Sequence, residues 1–144
     1  MTKIRIAENV DAKLVEAYQK LTPQLSSSNP PPTEDELKAI IGSDSATILV
    51  AEDANGIILG SMTLVIFRIP TGIRAWIEDV VVDTQARGMG VGQALNQHAI
   101  ELAQKAGAKT IDLTSRPSRE AANRLYQRLG FTPRETNVYR YSVD

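Results

Sequence analysis

Three glycines at alternate positions, Gly88, Gly90 and Gly92, lie between an apolar segment and an amphipathic helical pattern. Glycine lets a backbone approach a ligand closely, and the N–H groups at the start of a helix attract anions. This arrangement therefore suits a phosphate group. A Walker loop is excluded because no lysine follows Gly92, and a dinucleotide fingerprint is opposed because its third glycine would fall at Gln93.

A second segment, further along the chain, supports a specific interpretation of the glycines. The first segment has the spacing Gln85-x-x-Gly88-x-Gly90, and the second is a predicted helix that ends in the residues 125–131, Leu-Tyr-x-x-Leu-Gly-Phe. In this order, the two segments resemble the GNAT superfamily of N-acetyltransferases. The resemblance is clearest over residues 78–131, and the order of the predicted elements extends it more loosely to the whole chain.

The resemblance implies which residues bind acetyl-coenzyme A. In the family, the strand before the loop separates from its parallel neighbour and bonds the pantetheine arm through its main chain, while the loop amides hold the pyrophosphate. Asn123 would also bond the pantetheine arm. The residues that would bind acetyl-coenzyme A through their main chain are Val80, Val81 and Val82 on the strand and Arg87, Gly88, Met89, Gly90, Val91 and Gly92 in the loop.

The resemblance also implies a reaction, in which a neutral amine attacks the thioester directly and no covalent enzyme intermediate forms. Tyr126 would contact the sulfur and protonate the leaving thiolate, since a phenol is protonated at neutral pH. Glu78 is the candidate base, with Asp79 or a water chain as alternatives. Alternation along the strand predicts that Glu78 shares a face with Val80 and Val82. The N–H of Val80 would polarise the carbonyl.

The expected function is transfer of an acetyl group from acetyl-coenzyme A to a primary amine. Two alternatives stay open: transfer of a longer acyl group, and a non-catalytic module that binds acyl-coenzyme A. Retention of Tyr126 and Glu78 favours catalysis. The acceptor is undetermined between a small molecule and a protein amine, and family resemblance allows a homodimer.

Hydrophobic periodicity predicts the elements that position these residues. A helix that follows Asn9 as N-cap should end before Pro23, and a second should begin with a capping box of Thr33 and Glu36. Tyr139 and Tyr141 fall on a predicted last strand. The predicted strands are 2–6, 47–51, 57–67, 75–82, 110–114 and 136–141, and the last two helices are 88–106 and one that begins after Pro117-Ser118 and ends at Gly130.

This order predicts an α+β fold: a mixed central sheet with an antiparallel meander and one β-α-β crossover, flanked by helices on both faces. The length of 144 residues, with 42% hydrophobic and 23% charged, predicts one domain over residues 1–144.

A net charge of −1 argues against general nucleic-acid or membrane-surface binding. With no cysteine and one histidine, His98, we expect no metal. The chain start lacks a signal-peptide pattern, which predicts a cytoplasmic protein.

Overall fold

The computed structural model describes residues 2–143, which form two compact units, 2–114 and 115–143. The second unit contains one helix, α4 (Glu120–Arg128). A short 3-10 helix at Thr84–Ala86 follows the fourth strand of the first unit. The other elements of the first unit are β1 (Lys3–Ile6), α1 (Ala12–Leu25), α2 (Glu34–Ile41), β2 (Ala46–Glu52), β3 (Ile58–Ile69), β4 (Gly72–Val82), α3 (Val91–Lys105) and β5 (Thr110–Asp112).

The first unit is built on a five-stranded sheet with the order β1-β2-β3-β4-β5. The strands β1 to β4 pair with one another in antiparallel order, and β5 pairs with β4 in parallel. A parallel pair needs a crossover connection, which α3 supplies. The mixed sheet with an antiparallel meander and one β-α-β crossover is therefore confirmed.

Helices cover both faces of this sheet because successive strand residues point to opposite sides. Ile48 and Val50 of β2 belong to the buried core formed with Leu14, Leu21 of α1 and Leu37 of α2. On the other face, α3 packs against β3, where a Cβ built on Gly60 would lie 3.0 Å from Val91 Cγ1 and 3.3 Å from Leu95 Cδ1. The predicted helices on both faces are thus confirmed.

Helix boundaries in the first unit follow their capping residues. The Thr33 capping box forms as predicted, with Thr33 N–H donating to Glu36 Oε1 at 2.9 Å and Glu36 N–H to Thr33 Oγ1 at 3.1 Å. The predicted cap at Asn9 is wrong, because Asp11 accepts from Leu14 N–H at 2.8 Å and starts α1 there. The predicted end before Pro23 is also wrong. Proline removes one hydrogen bond, but this position is in the last turn of α1, where that loss is small.

The predicted last strand over 136–141 does not form a strand in the part of the tail that the structure describes. Tyr139 and Tyr141 are 88% and 91% exposed, so neither is a core residue of the second unit. The alternation in this segment separates two faces that are each partly polar, and it therefore gives no apolar face that a sheet would bury. In α4, likewise, the helix begins one residue after Arg119 rather than directly after Pro117-Ser118.

Glu52 joins β2 to its neighbours through two ion pairs and provides a test of the first unit's stability. The carboxylate is buried and pairs with Arg5 and Lys13. Burial alone would raise the pKa of Glu52, but the hydrogen bonds and charges of the two cations outweigh it and lower the pKa. Ionised Glu52 therefore stabilises the folded chain.

We expect Glu52→Gln to lower the free energy of unfolding at pH 7 by about 2 kcal/mol, since hydrogen bonds to charged groups contribute about 1.5–3 kcal/mol. The pKa in the folded state is below the unfolded value of about 4.3, so this stability is complete above pH 4.3 and is lost as the pH falls through the folded-state pKa. Urea unfolding at pH 7 and at pH 2 measures it, with the exposed Glu101→Gln as control. A deficit of equal size at pH 2 would contradict the ion-pair explanation.

Candidate functional site

The glycine loop lies between the end of β4 and the start of α3. Gly88 has φ +82° and Gly90 has φ +77°, a left-handed conformation that side chains with a Cβ rarely adopt. A Cβ built on either glycine would meet no atom within 4 Å, so the space beside the loop is open. Gly92 instead lies within the first turn of α3.

The loop presents unused backbone donors at a positive helix end. Gly90 is the N-cap of α3 and supplies no side chain to cap it, so the first-turn amides of Val91 and Gly92 have no intrahelical acceptor. The helix dipole adds partial positive charge at the same point. The N–H groups of Arg87 and Met89 bond weakly within the loop, to Thr84 O at 3.4 Å and Ala86 O at 3.3 Å. The combination suits an anion at the start of α3.

A β-bulge interrupts β4 shortly before this loop. Val81 pairs with Ser61, and Glu78 pairs with Thr63. One residue, Met62, separates the two partners on β3, whereas two residues, Asp79 and Val80, separate them on β4. Asp79 takes φ +53°, which is uncommon for a residue other than glycine and costs about 1–3 kcal/mol. Bulges often lie beside active sites because they bend the strand and free a backbone group from the ladder.

The far edge of β4 is also open in the first unit. The ladder between β4 and β5 extends only from Arg74 to Trp76, where Trp76 pairs with Asp112. Within the first unit, β4 therefore continues for six residues past its ladder with β5. The backbone of Val80, Val81 and Val82 continues from that opening directly to the glycine loop.

The bulge corrects the predicted face of Glu78. Thr63 and Ser61 lie two residues apart on β3, so their partners Glu78 and Val81 share a face, whereas Val82 pairs with Gly60 on the α3 side. The prediction that Glu78 shares a face with Val80 and Val82 fails because it assumed uninterrupted alternation, and the extra residue of a bulge reverses it. Glu78 is exposed on the face that α1 covers.

Tyr18 of α1 makes a polar contact on this largely apolar face. Its hydroxyl lies 2.5 Å from Ser61 Oγ. Burial raises the pKa of Tyr18, the hydrogen bond with Ser61 lowers it, and the negative charge of Asp79 raises it further, with a net increase. The phenol therefore stays protonated at neutral pH. Sequence analysis missed Tyr18 because its position in the helical apolar pattern of α1 indicates only a core residue.

Asp83 is a second residue that sequence analysis missed. It is 2% exposed, and its carboxylate pairs with Lys20 Nζ at 2.7 Å and accepts from Gln85 N–H at 3.1 Å. The hydrogen bond from Lys20 is the largest cause that lowers the pKa of Asp83, against the effect of burial. One local signal was available, since aspartate directly after a strand and before a turn is typical of a cap. Its pairing with Lys20 on α1 could not be predicted from the local sequence.

The second unit holds the other two predicted site residues, Asn123 and Tyr126, three positions apart on α4. Tyr126 is 7% exposed and packs edge-to-face on Phe131, with ring centroids 5.9 Å apart. Burial raises the pKa of Tyr126, and the positive charge of Arg119 opposes this only in part. Asn123 Nδ2 donates to Arg116 O at 3.0 Å, which fixes its side chain over the start of the helix.

Two further features concern only residues 2–143. Over that range, no group of three or more metal-ligating side chains is arranged so that it could hold an ion. Among the helices described, none combines the length and apolar character required to cross a bilayer.

Comparisons with known proteins agree with this geometry. The model of the acetyltransferase (GNAT) family matches residues 14–131. A mycothiol acetyltransferase of Beutenbergia cavernae is 33% identical over 59% of this chain and 28% of its own length. The N-alpha-acetyltransferase 30 of Schizosaccharomyces pombe is 34% identical over 51% of this chain and 49% of its own. This chain therefore matches less than two thirds of the length of these curated relatives.

A solved structure matches nearly the whole chain. It is a putative acetyltransferase from Agrobacterium tumefaciens, with a TM-score of 0.84 and 27% sequence identity. The alignment covers 97% of this chain and 99% of that one.

Proposed function

Since this chain belongs to the GNAT family of acetyltransferases, we propose that it transfers the acetyl group of acetyl-coenzyme A to a primary amine. The observation that carries the proposal is the glycine loop. Gly88 and Gly90 hold left-handed conformations beside open space, and the start of α3 has no side-chain cap. A pyrophosphate is the part of acetyl-coenzyme A that matches such a cradle.

In this proposal the loop holds the pyrophosphate through the amides of residues 87–92, and the open edge of β4 holds the pantetheine arm. The bulge supports the second assignment, because Asp79 and Val80 leave the regular ladder with β3 and free backbone groups there. Asn123 contributes a further contact to the arm. Its Nδ2 already donates to Arg116 O, so its Oδ1 is the atom we assign to the ligand.

The proposed reaction is a direct displacement. The amine nitrogen forms a bond to the thioester carbonyl carbon, the carbon–sulfur bond breaks, and the thiolate leaves. Tyr126 gives its phenolic proton to that thiolate, and its raised pKa keeps the phenol protonated at neutral pH before this step. The proton that the attacking nitrogen releases as the amide forms passes through solvent and restores the phenol. The N–H of Val80 stabilises the negative charge that develops on the carbonyl oxygen.

An amine must also lose a proton, and we assign that step to Glu78, directly or through water. Its position opposite Thr63 places it on the α1 side of the sheet, at the bulge and exposed to solvent. A solvent-accessible carboxylate there can receive a proton from an incoming ammonium and pass it to water. Asp79 stays the alternative base, since it is exposed at the same bulge.

Two alternatives from the sequence stay distinct from this proposal. A longer acyl group would use the same loop and the same two catalytic residues, so steady-state rates with acetyl- and longer acyl-coenzyme A separate these. A non-catalytic acyl-coenzyme A binding module would bind without turnover. The two relatives, a mycothiol acetyltransferase and an N-alpha-acetyltransferase, differ in the acceptor that their names indicate, so our proposal goes no further than an amine as the acceptor class.

The test is calorimetric titration of the protein with acetyl-coenzyme A, with NAD as the control ligand. We expect saturable binding of acetyl-coenzyme A alone, followed by release of free coenzyme A when a panel of small amines and peptide amino termini is added. Binding without release over that panel would favour the non-catalytic module. Binding of neither ligand would remove the acetyltransferase proposal.

We expect Glu78→Gln to lower turnover mainly at pH values below the pKa of the amine. There the acceptor arrives as an ammonium and needs a base, whereas above that pKa it arrives neutral. General base catalysis contributes about 10²–10⁴-fold, so a decrease of about 100-fold at pH 7 is expected. The matched control is Asp79→Asn at the adjacent position of the bulge. An unchanged pH-rate profile for Glu78→Gln would remove it from the base role, and a larger effect of Asp79→Asn would transfer the role to Asp79.

A further inference from the structure

The last two turns of α1 contact the residues that lead from β4 into the glycine loop. Lys20 Nζ lies 2.7 Å from Asp83 Oδ2, and Gln24 Oε1 accepts from Thr84 N–H at 2.8 Å. Lys20 and Gln24 are four residues apart, so they share one face of the helix. We call these two contacts the α1 strap.

Asp83 is the central residue of the strap because its carboxylate is engaged on both sides. One oxygen pairs with Lys20 of α1, and the other accepts from Gln85 N–H and so caps the short 3-10 helix. Its own N–H donates to Leu59 O on β3 at 2.8 Å. A carboxylate that is 2% exposed needs such partners, since burial of an unpaired charge is costly.

The loop that follows has few restraints of its own. Two bonds close it, Arg87 N–H to Thr84 O at 3.4 Å and Met89 N–H to Ala86 O at 3.3 Å, and both are long for N–H···O bonds. No atom lies within 4 Å of a Cβ built on Gly88 or on Gly90. The position of the loop therefore depends on how its entry is held, and the α1 strap holds that entry.

We propose that Lys20 and Gln24 are positioning residues for the glycine loop, through which α1 sets the affinity for the diphosphate group of the ligand. In this proposal both residues act on the ligand only through Asp83 and Thr84. The inference rests on the proposed function, because acetyl-coenzyme A is the diphosphate ligand assigned to the loop. Coupling of this kind is reciprocal, so binding at the loop also stabilises the contacts at the end of α1.

The first test compares acetyl-coenzyme A affinity by calorimetry. We expect Lys20→Met to raise Kd about 10-fold and Lys20→Arg to restore it to within about twofold, because arginine can still pair with Asp83. Gln24→Ala should raise Kd about threefold without leaving a buried charge unpaired. The matched control is Lys38→Met on α2, which breaks an exposed pair with Glu34 and should leave Kd unchanged.

The second test needs no ligand and follows backbone amide hydrogen exchange in the free protein. In Lys20→Met, the amides of residues 84–92 should exchange faster, whereas those in the interior of α3 keep their rates. Equal acceleration of both segments, with a matching fall in Tm, would show a general structural role and overturn the inference.

The two tests separate the inference from the function it rests on. If the wild-type protein does not bind acetyl-coenzyme A, the proposed function fails. Unchanged exchange of residues 84–92 in Lys20→Met would show, independently of any ligand, that the α1 strap does not hold the loop. If the wild-type protein binds and Lys20→Met binds equally well, the positioning role fails while the proposed function stands.

Discussion

Replacement of Tyr126 by phenylalanine is expected to lower turnover about 100-fold while acetyl-coenzyme A binds with nearly unchanged affinity. General acid catalysis contributes about 10²–10⁴-fold, and phenylalanine removes only the proton donor. The edge-to-face packing on Phe131 needs the ring and not the hydroxyl, so it is kept. The loss should therefore appear in kcat and not in Kd.

The pH dependence of this effect follows from the direction of the pKa shift. Burial raises the pKa of Tyr126 above its ordinary value of about 10, so the phenol is protonated in the wild-type protein from pH 6 to pH 9. The ratio of wild-type to variant turnover should accordingly be constant over that range, if both are measured with a saturating amine. A ratio that falls between pH 7 and pH 8 would show that another group supplies the proton.

The matched control for this substitution is Tyr139→Phe in the same unit. Tyr139 is 88% exposed, so loss of its hydroxyl should change neither Kd nor kcat. Stopped-flow detection of free coenzyme A gives kcat, and calorimetry gives Kd. An equal loss of binding and turnover in Tyr126→Phe, with a lower Tm, would show that the hydroxyl has a structural role and would remove Tyr126 as the acid.

Local signals predicted most of the first unit. The capping box at Thr33 and Glu36, for example, depends on two residues three apart. Such features are complete within a few residues of sequence. For the same reason the meander, the crossover and the position of the glycine loop could be predicted from the chain alone.

The features that were missed depend on pairing between distant segments. The bulge at Asp79 is a property of the register between β4 and β3, and an aspartate within a strand pattern is too weak a signal to give that register. That one extra residue moved Glu78 to the α1 face. The contact of Lys20 with Asp83 joins residues far apart in sequence, and each of them alone is typical of a solvated charge.

The glycine loop itself gives the second large prediction. We expect Gly90→Ala to raise the Kd for acetyl-coenzyme A about 100-fold, which corresponds to about 2.7 kcal/mol. Two effects act at this position. A left-handed φ of +77° costs a residue with a Cβ about 1–2 kcal/mol, and the added methyl group occupies the open space from which the pyrophosphate approaches the amides. Only the second effect is specific to the ligand.

Gly107→Ala separates these two effects. Gly107 has φ +83°, so alanine there carries the same backbone strain, and its Cβ would make an ordinary contact with Ile73 Cδ1 at 3.7 Å. Both variants should therefore lose similar stability in urea unfolding, because the conformational cost is the same. Only Gly90→Ala should lose affinity in calorimetry. If the two variants bound acetyl-coenzyme A equally well, the ligand would not approach the backbone at Gly90, and the glycine would serve only the turn into α3.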